Sequence, residues 1–155
     1  MTPHGTFTIE RTFPTPVEKA FAAWTTLDTK ARWFMGPPER GWKILRRELD
    51  VRVGGHEIME GAFPDGFVTL YEGRYHVVEP NRRLVTSFDL FLAGELHSVA
   101  LDTVDFEPTA AGGTRMVFTE TTVYIDGEDA TAGRREGTAL HLDRLSRLLD
   151  EVAAG

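Results

Sequence analysis

"FVTLYEGRYHVVEPNRRLVTSFDLF", residues 67 to 91, holds two alternating runs joined by a Glu-Pro-Asn turn. In the first run Phe67, Thr69, Tyr71, Gly73, Tyr75 and Val77 share one parity, and Glu72, Arg74 and His76 carry the polar one. A period of two is the signature of a strand with one buried face. In the second run Leu84 and Phe88 point the same way and take Thr86 with them. Two such runs around a short turn predict an antiparallel hairpin.

The same pattern continues on both sides. "WKILRRELDVRV" (42 to 53) and "HEIMEGAF" (56 to 63) precede the hairpin, and "HSVALDTVDFEP" (97 to 108) and "TRMVFTETTVYI" (114 to 125) follow it. The connections contain "GG", "PDG", "EPN", "AGE" and "AAGG", so a continuous antiparallel meander is expected, with the paired glycines at 54 and 55 and at 112 and 113 at turns. Earlier, "TFTIERTF" (6 to 13) alternates as one more strand, with Phe7, Ile9 and Phe13 on one face. A helix follows it: Thr15 and Glu18 have capping-box spacing, Pro16 suits the first helical position, and Val17, Ala20, Phe21 and Trp24 recur at helical spacing. A short second helix is expected over "DTKARWF", opened by Asp28. The last helix is expected over 129 to 152, with Leu142, Leu145, Leu149 and Val152 as its apolar stripe. A sheet of seven strands has one apolar face to cover, and only the last helix is long enough to cover it. The expected class is α+β, a helix-grip arrangement in which the antiparallel sheet wraps the C-terminal helix and two short helices follow the first strand.

Composition bounds the function. The 155 residues are 41% hydrophobic and 26% charged, which suits one globular domain over 1 to 155. There are no cysteines, which excludes disulfides and thiolate chemistry and points to a reducing cytoplasm. No apolar run approaches the ~20 residues of a membrane span, and the start lacks the apolar segment of a signal peptide, so no membrane partner is expected. A formal net charge of -7 without a basic run opposes nucleic-acid binding. "HEIME" (56 to 60) has most of a zinc-protease motif, but it lies in a strand, where residues four apart stand about 13 Å from each other, too far to share an ion. No metal and no cofactor are expected.

"WFMGPPERGW" (33 to 42) sets large apolar side chains in a loop that Pro37, Pro38, Gly36 and Gly41 keep irregular. Trp33, Phe34 and Trp42 either line the mouth of a pocket or plug the core. Parity makes the same demand of two carboxylates. Val104 and Phe106 point inward and take Asp102 with them, and Met116 and Phe118 take Glu120. Buried carboxylates are rare unless paired or functional. The blander reading, which the frequency of strand bulges favours, turns Asp102 outward and leaves Glu120 to cap a turn or pair with an arginine. His141 lies beside the helical stripe, where a histidine is more often solvated than catalytic. Gly133 and Gly137 suggest close approach of the last helix to the sheet.

This element order resembles the START-like (SRPBCC) helix-grip superfamily. "WFMGP", "DVRVGGHE", "FPDG", "YEGRYHVVEPNRRLVTSFDL", "GGTRMVFTET" and "DGEDATAGRREGTALHLDRLSRLL" are similar to the bacterial branch of the family named for the activator of heat-shock protein 90 ATPase. The resemblance implies a cavity between the concave sheet and the last helix, with the aromatic loop near its entrance. It implies that Glu120 of "FTE" is a shared polar feature and that Asp102 departs from a small apolar residue. Relatives commonly carry a tryptophan where this chain has Thr138, which implies a roomier cavity. Ligand contacts are therefore expected from Trp33, Phe34, Trp42, Phe67, Tyr71, Tyr75, Phe88, Asp102, Phe118, Glu120, Thr138 and His141. The leading reading is a carrier of a small apolar or aromatic molecule. One alternative is a cyclase- or hydrolase-type enzyme using Asp102, Glu120 or His141 as acid and base. The other is a co-chaperone-like domain that binds a protein, and a homodimer is compatible with either. Superfamily membership alone does not choose among them, because one fold carries many functions.

Overall fold

The meander expected from 42 to 125 forms in a computed structural model of the protein, which describes residues 1–154. Its strands are β2 (Lys43–Leu49), β3 (His56–Ala62), β4 (Val68–Glu79), β5 (Arg83–Leu92), β6 (Glu95–Pro108) and β7 (Thr114–Tyr124). The first strand, β1 (His4–Phe13), returns to pair with β7, giving an antiparallel sheet of seven strands in the order β1-β7-β6-β5-β4-β3-β2. Gly54 and Gly112 take the left-handed backbone conformation in the β2–β3 and β6–β7 turns. Side chains of one parity, among them Tyr71, Tyr75, Leu84, Phe88, Val104, Phe106, Met116 and Phe118, are buried on the concave face. Apolar area removed from water there stabilises the fold by roughly 25 cal/mol per Å².

Three helices complete the core: α1 (Val17–Thr25), α2 (Leu27–Lys30) and α3 (Thr131–Ala154). The apolar stripe of α3 is Leu142, Leu145, Leu148 and Leu149, packed against Phe7, Ile9, Trp24 and Phe118. Val152, expected in that stripe, is exposed. The capping box at α1 does not form. Pro16 occupies the cap position with no side-chain cap, and Thr15 instead donates from Oγ1 to the carbonyl of Leu149 at 2.8 Å. Thr114 Oγ1 donates in turn to the Thr15 carbonyl at 2.8 Å, so this buried threonine ties α3 to β7. The second helix is one turn and starts a residue early, with Asp28 inside it. The close approach expected at Gly133 and Gly137 is also absent: a β-carbon at either position would meet nothing within 4 Å.

No helix among the described residues is long and apolar enough to cross a membrane. "HEIME" lies wholly within β3.

Candidate functional site

A cavity of about 170 Å³ lies between the concave sheet and α3. Its apolar wall comes from Trp24, Trp33, Phe34, Tyr71, Phe88 and Phe118, with Met59, Leu90 and Leu142 between them. The aromatic packing is continuous. Trp24 meets Trp33 edge-on at 4.7 Å between ring centroids, Phe34 meets Tyr71 at 5.2 Å, and Tyr71 stacks on Phe88 at 4.5 Å. Such contacts fix ring orientation beyond what area burial alone supplies.

The two ends of the aromatic loop do different things. Trp33 and Phe34 face the cavity, and Trp33 also donates from Nε1 to the Ala23 carbonyl at 3.0 Å. Trp42 is buried away from the cavity, and its Nε1 donates to Thr69 Oγ1 at 3.0 Å. Its indole fits between Gly36 and Gly61, where any β-carbon would collide with the ring. Trp42 therefore plugs the core. Phe67 is 39% exposed beside Phe63 in the β3–β4 turn, because β4 begins one residue later and the inward parity starts inside the strand. Tyr75 is buried but outside the cavity wall, its hydroxyl donating to Glu57 Oε1 at 2.8 Å. Burial and the Glu57 charge raise its pKa.

The polar end of the cavity is built on β6, β7 and α3. Asp102 and Glu120 are register partners on neighbouring strands, in a β6–β7 ladder that runs without a bulge from Ser98 to Pro108. The β5–β6 irregularity falls at Leu90/Phe91, away from the Thr86–Asp102 pair. The expected outward turn of Asp102 therefore does not occur, and both carboxylates belong to the cavity wall. Glu120 Oε2 accepts from Arg134 Nη1 at 3.0 Å and from Thr122 Oγ1 at 2.8 Å, which realises the expected arginine partner inside the protein rather than at its surface. Arg134 spends its other amine on Ser98 Oγ at 2.6 Å. Asp102 has no such partner, and its Oδ1 is buried without a hydrogen bond. Burial first, then repulsion from Glu120, holds the Asp102 carboxyl well above the usual range.

Thr138 and His141 bring α3 to the same cavity. His141 is not solvated as the helical position suggested. Nε2 lies 2.8 Å from the Met35 carbonyl and donates to it, which leaves Nδ1 as the unprotonated nitrogen of a neutral ring. Burial, followed by the Arg144 charge, pushes its pKa down to about 4. A further polar contributor, Lys30 of α2, had no signal in the sequence. Its Nζ lies 2.7 Å from Glu57 Oε1 and within 5.0 Å of the Phe34 ring centroid. Glu57 is on β3 with the parity of Met59, so the alternation that found Asp102 also finds this carboxylate when applied to "HEIME".

Nine of the twelve expected ligand contacts are thus in one wall, and Trp42, Phe67 and Tyr75 stand apart from it. A shallower groove of about 290 Å³ adjoins it along α3, lined by Gly133, Gly137 and His97 and sharing Leu90, Arg134, Thr138 and His141 with the cavity.

Known proteins agree with this architecture. A solved structure from Rhizobium leguminosarum is 36% identical, covers 97% of each chain and superposes with a TM-score of 0.89. The Mll3558 protein from Rhizobium loti is 31% identical over 95% of this chain and 98% of its own, with a TM-score of 0.86. DynU16, from the dynemicin biosynthetic locus, shares the fold at 17% identity and a TM-score of 0.72, and this chain spans 48% of its length. No curated protein matches the chain. Residues 14–150, from just after β1 through the apolar stripe of α3, match the family described as activator of Hsp90 ATPase homolog 1-like protein, and the chain belongs to that family.

Proposed function

We propose that this protein binds a small, mainly apolar ring compound in the cavity between the sheet and α3. The observation that carries the reading is an aromatic wall of six rings around a space of about 170 Å³, closed at one end by polar side chains. Volume sets the ligand's size. An apolar cavity of ~150 Å³ accepts benzene, whereas drug-sized ligands need at least ~300 Å³. The occupant is therefore of one-ring to two-ring size.

Calorimetric titration with toluene tests this. Binding is expected in the wild type and is expected to fall at least tenfold in Thr138→Trp, whose indole would fill the α3 side of the cavity while the fold is retained. Unchanged binding in a folded Thr138→Trp, or none in the wild type, overturns the reading.

A second reading, acid-base catalysis on the bound compound, draws on Asp102 alone. Burial and the neighbouring Glu120 raise its pKa, the direction a general acid requires, and it belongs to the same wall as the aromatic rings. Glu120 is committed to Arg134 and Thr122, so it serves as Asp102's neighbour rather than as a free base. Turnover of a bound ring compound that disappears in Asp102→Asn with binding intact would favour this second reading.

A further inference from the structure

The cavity's charges are already balanced from within. Lys30 is closed against Glu57 at 2.7 Å, and Arg134 against Glu120 at 3.0 Å. Neither cation has its charge free for an acidic ligand, and a carboxylate brought into the wall would sit beside Asp102 and Glu120 with no partner of its own. Burying an unpaired charge is prohibitive, so ligands that are anionic at neutral pH are excluded. A purely apolar ligand fits the rings but leaves Asp102 Oδ1 as it is, a buried oxygen without a hydrogen bond. One other wall residue has a polar atom in that state, Trp24, whose Nε1–H has no acceptor. These two atoms want opposite partners: a hydrogen-bond donor for the oxygen and an acceptor for the indole.

Resting on the cavity-binding reading above, we propose that the ligand is an uncharged ring compound carrying a hydroxyl group, a phenol in chemical class, whose O–H donates to Asp102 Oδ1. A hydroxyl supplies both a donor and an acceptor in the smallest possible volume. The direction of that bond follows from the site. Glu120, the register partner of Asp102, already accepts from Arg134 and Thr122, so a proton shared between the two carboxyls lies on the side facing Glu120, and Oδ1, which has no hydrogen bond, is left to accept. Asp102 thereby becomes the specificity-determining residue, and the aromatic wall supplies affinity without discriminating.

Phenol and toluene, matched in shape and in number of non-hydrogen atoms, separate the possibilities. Water solvates the phenol hydroxyl, so a cavity with nothing to offer it prefers toluene. The wild type is expected to bind phenol roughly tenfold more tightly than toluene, one well-made buried hydrogen bond's worth of discrimination. Asp102→Leu is expected to reverse that order. Benzoate is expected not to bind. If the wild type binds toluene as tightly as phenol, or binds benzoate best, the hydroxyl inference falls while cavity binding stands. If none of the three binds, the cavity reading itself falls. Should Asp102→Leu fail to fold, anisole takes its place as the probe: the same ring with its donor methylated must lose the advantage of phenol in the wild type, and equal binding of the two overturns the proposal.

Discussion

Lys30 Nζ and Glu57 Oε1 stand 2.7 Å apart with only 6% and 3% of their side chains exposed, linking a one-turn helix to the third strand of the sheet. Lys30 also lies near three rings, Trp24, Trp33 and Phe34, at 5.5, 5.9 and 5.0 Å from their centroids. Cation–π attraction of this kind strengthens as water is excluded.

Removing one member of that pair strands the other. Lys30→Met is expected to cost about 3 to 5 kcal/mol, the usual result of leaving a buried charge alone. Lys30→Met combined with Glu57→Gln is expected to recover more than half of the loss, because the neutral amide still accepts from Tyr75. Urea unfolding of both single variants and the double variant measures the coupling. Additive losses would show that the two side chains act separately.

Trp42→Ala is expected to behave as a core deletion, costing about 3 to 5 kcal/mol. The indole fills the gap between Gly36 and Gly61, which no neighbour can close. Toluene affinity is expected to stay within twofold of wild type, since Trp42 lies outside the cavity. A stable variant with weakened binding would put Trp42 back at the mouth.

The contrast between Trp42 and Asp102 shows what a sequence can reveal here. Inward placement of Asp102 and Glu120 follows from a period of two, and it holds because their ladder has no bulge over the whole of its register. The role of Trp42 depends on two glycines, Gly36 and Gly61, that reach it from a loop and a distant strand, and no local pattern announces such a sandwich. Phe67 failed for a local reason, since it precedes the first residue of its strand. Lys30 was illegible because one helical turn carries no periodicity. Glu57 is legible by parity with Met59, although it lies in "HEIME", a stretch whose likeness to a metal motif says nothing of the face it occupies.

Gly137→Ala is expected to stabilise the protein by up to about 1 kcal/mol, the difference in helix propensity, because a β-carbon there meets open space. A thermal melt should rise by roughly 2 to 4 °C for a chain of this size. A fall would mean that the groove along α3 is filled by something the helix must approach.

His141 sets an acid limit. Its folded pKa is lowered from 6.5 to about 4, by burial first and then by Arg144 and Lys30. Stability from a neutral buried histidine is complete above the unfolded pKa and is lost as pH falls from the unfolded value towards the folded one. The wild type should therefore lose about 3 kcal/mol through this group between pH 6.5 and 4. His141→Gln keeps a donor for the Met35 carbonyl and does not titrate, so its loss over that window should be smaller by a comparable amount. Parallel acid curves for the two proteins would place the ring in solvent.

Asp102 should show the opposite slope. Its folded pKa is raised, by burial and then by Glu120, against the opposing pull of Arg134 and Lys30. A raised carboxyl contributes stability that is complete below its unfolded pKa and fades as pH rises through the folded one, because the unfolded chain gives up its proton first. Asp102→Asn presents an N–H to Glu120 where the wild type presents an O–H, and it never ionises. The variant should match the wild type at pH 3.5 and become progressively more stable than it as pH rises towards 7. Melts of both proteins across that range measure the difference directly, and a carboxyl NMR titration assigns it to Asp102. A variant no more stable than wild type at pH 7 would mean that Asp102 ionises freely in the folded protein. In that case it would lose both its proton for Glu120 and its claim to select an uncharged ligand.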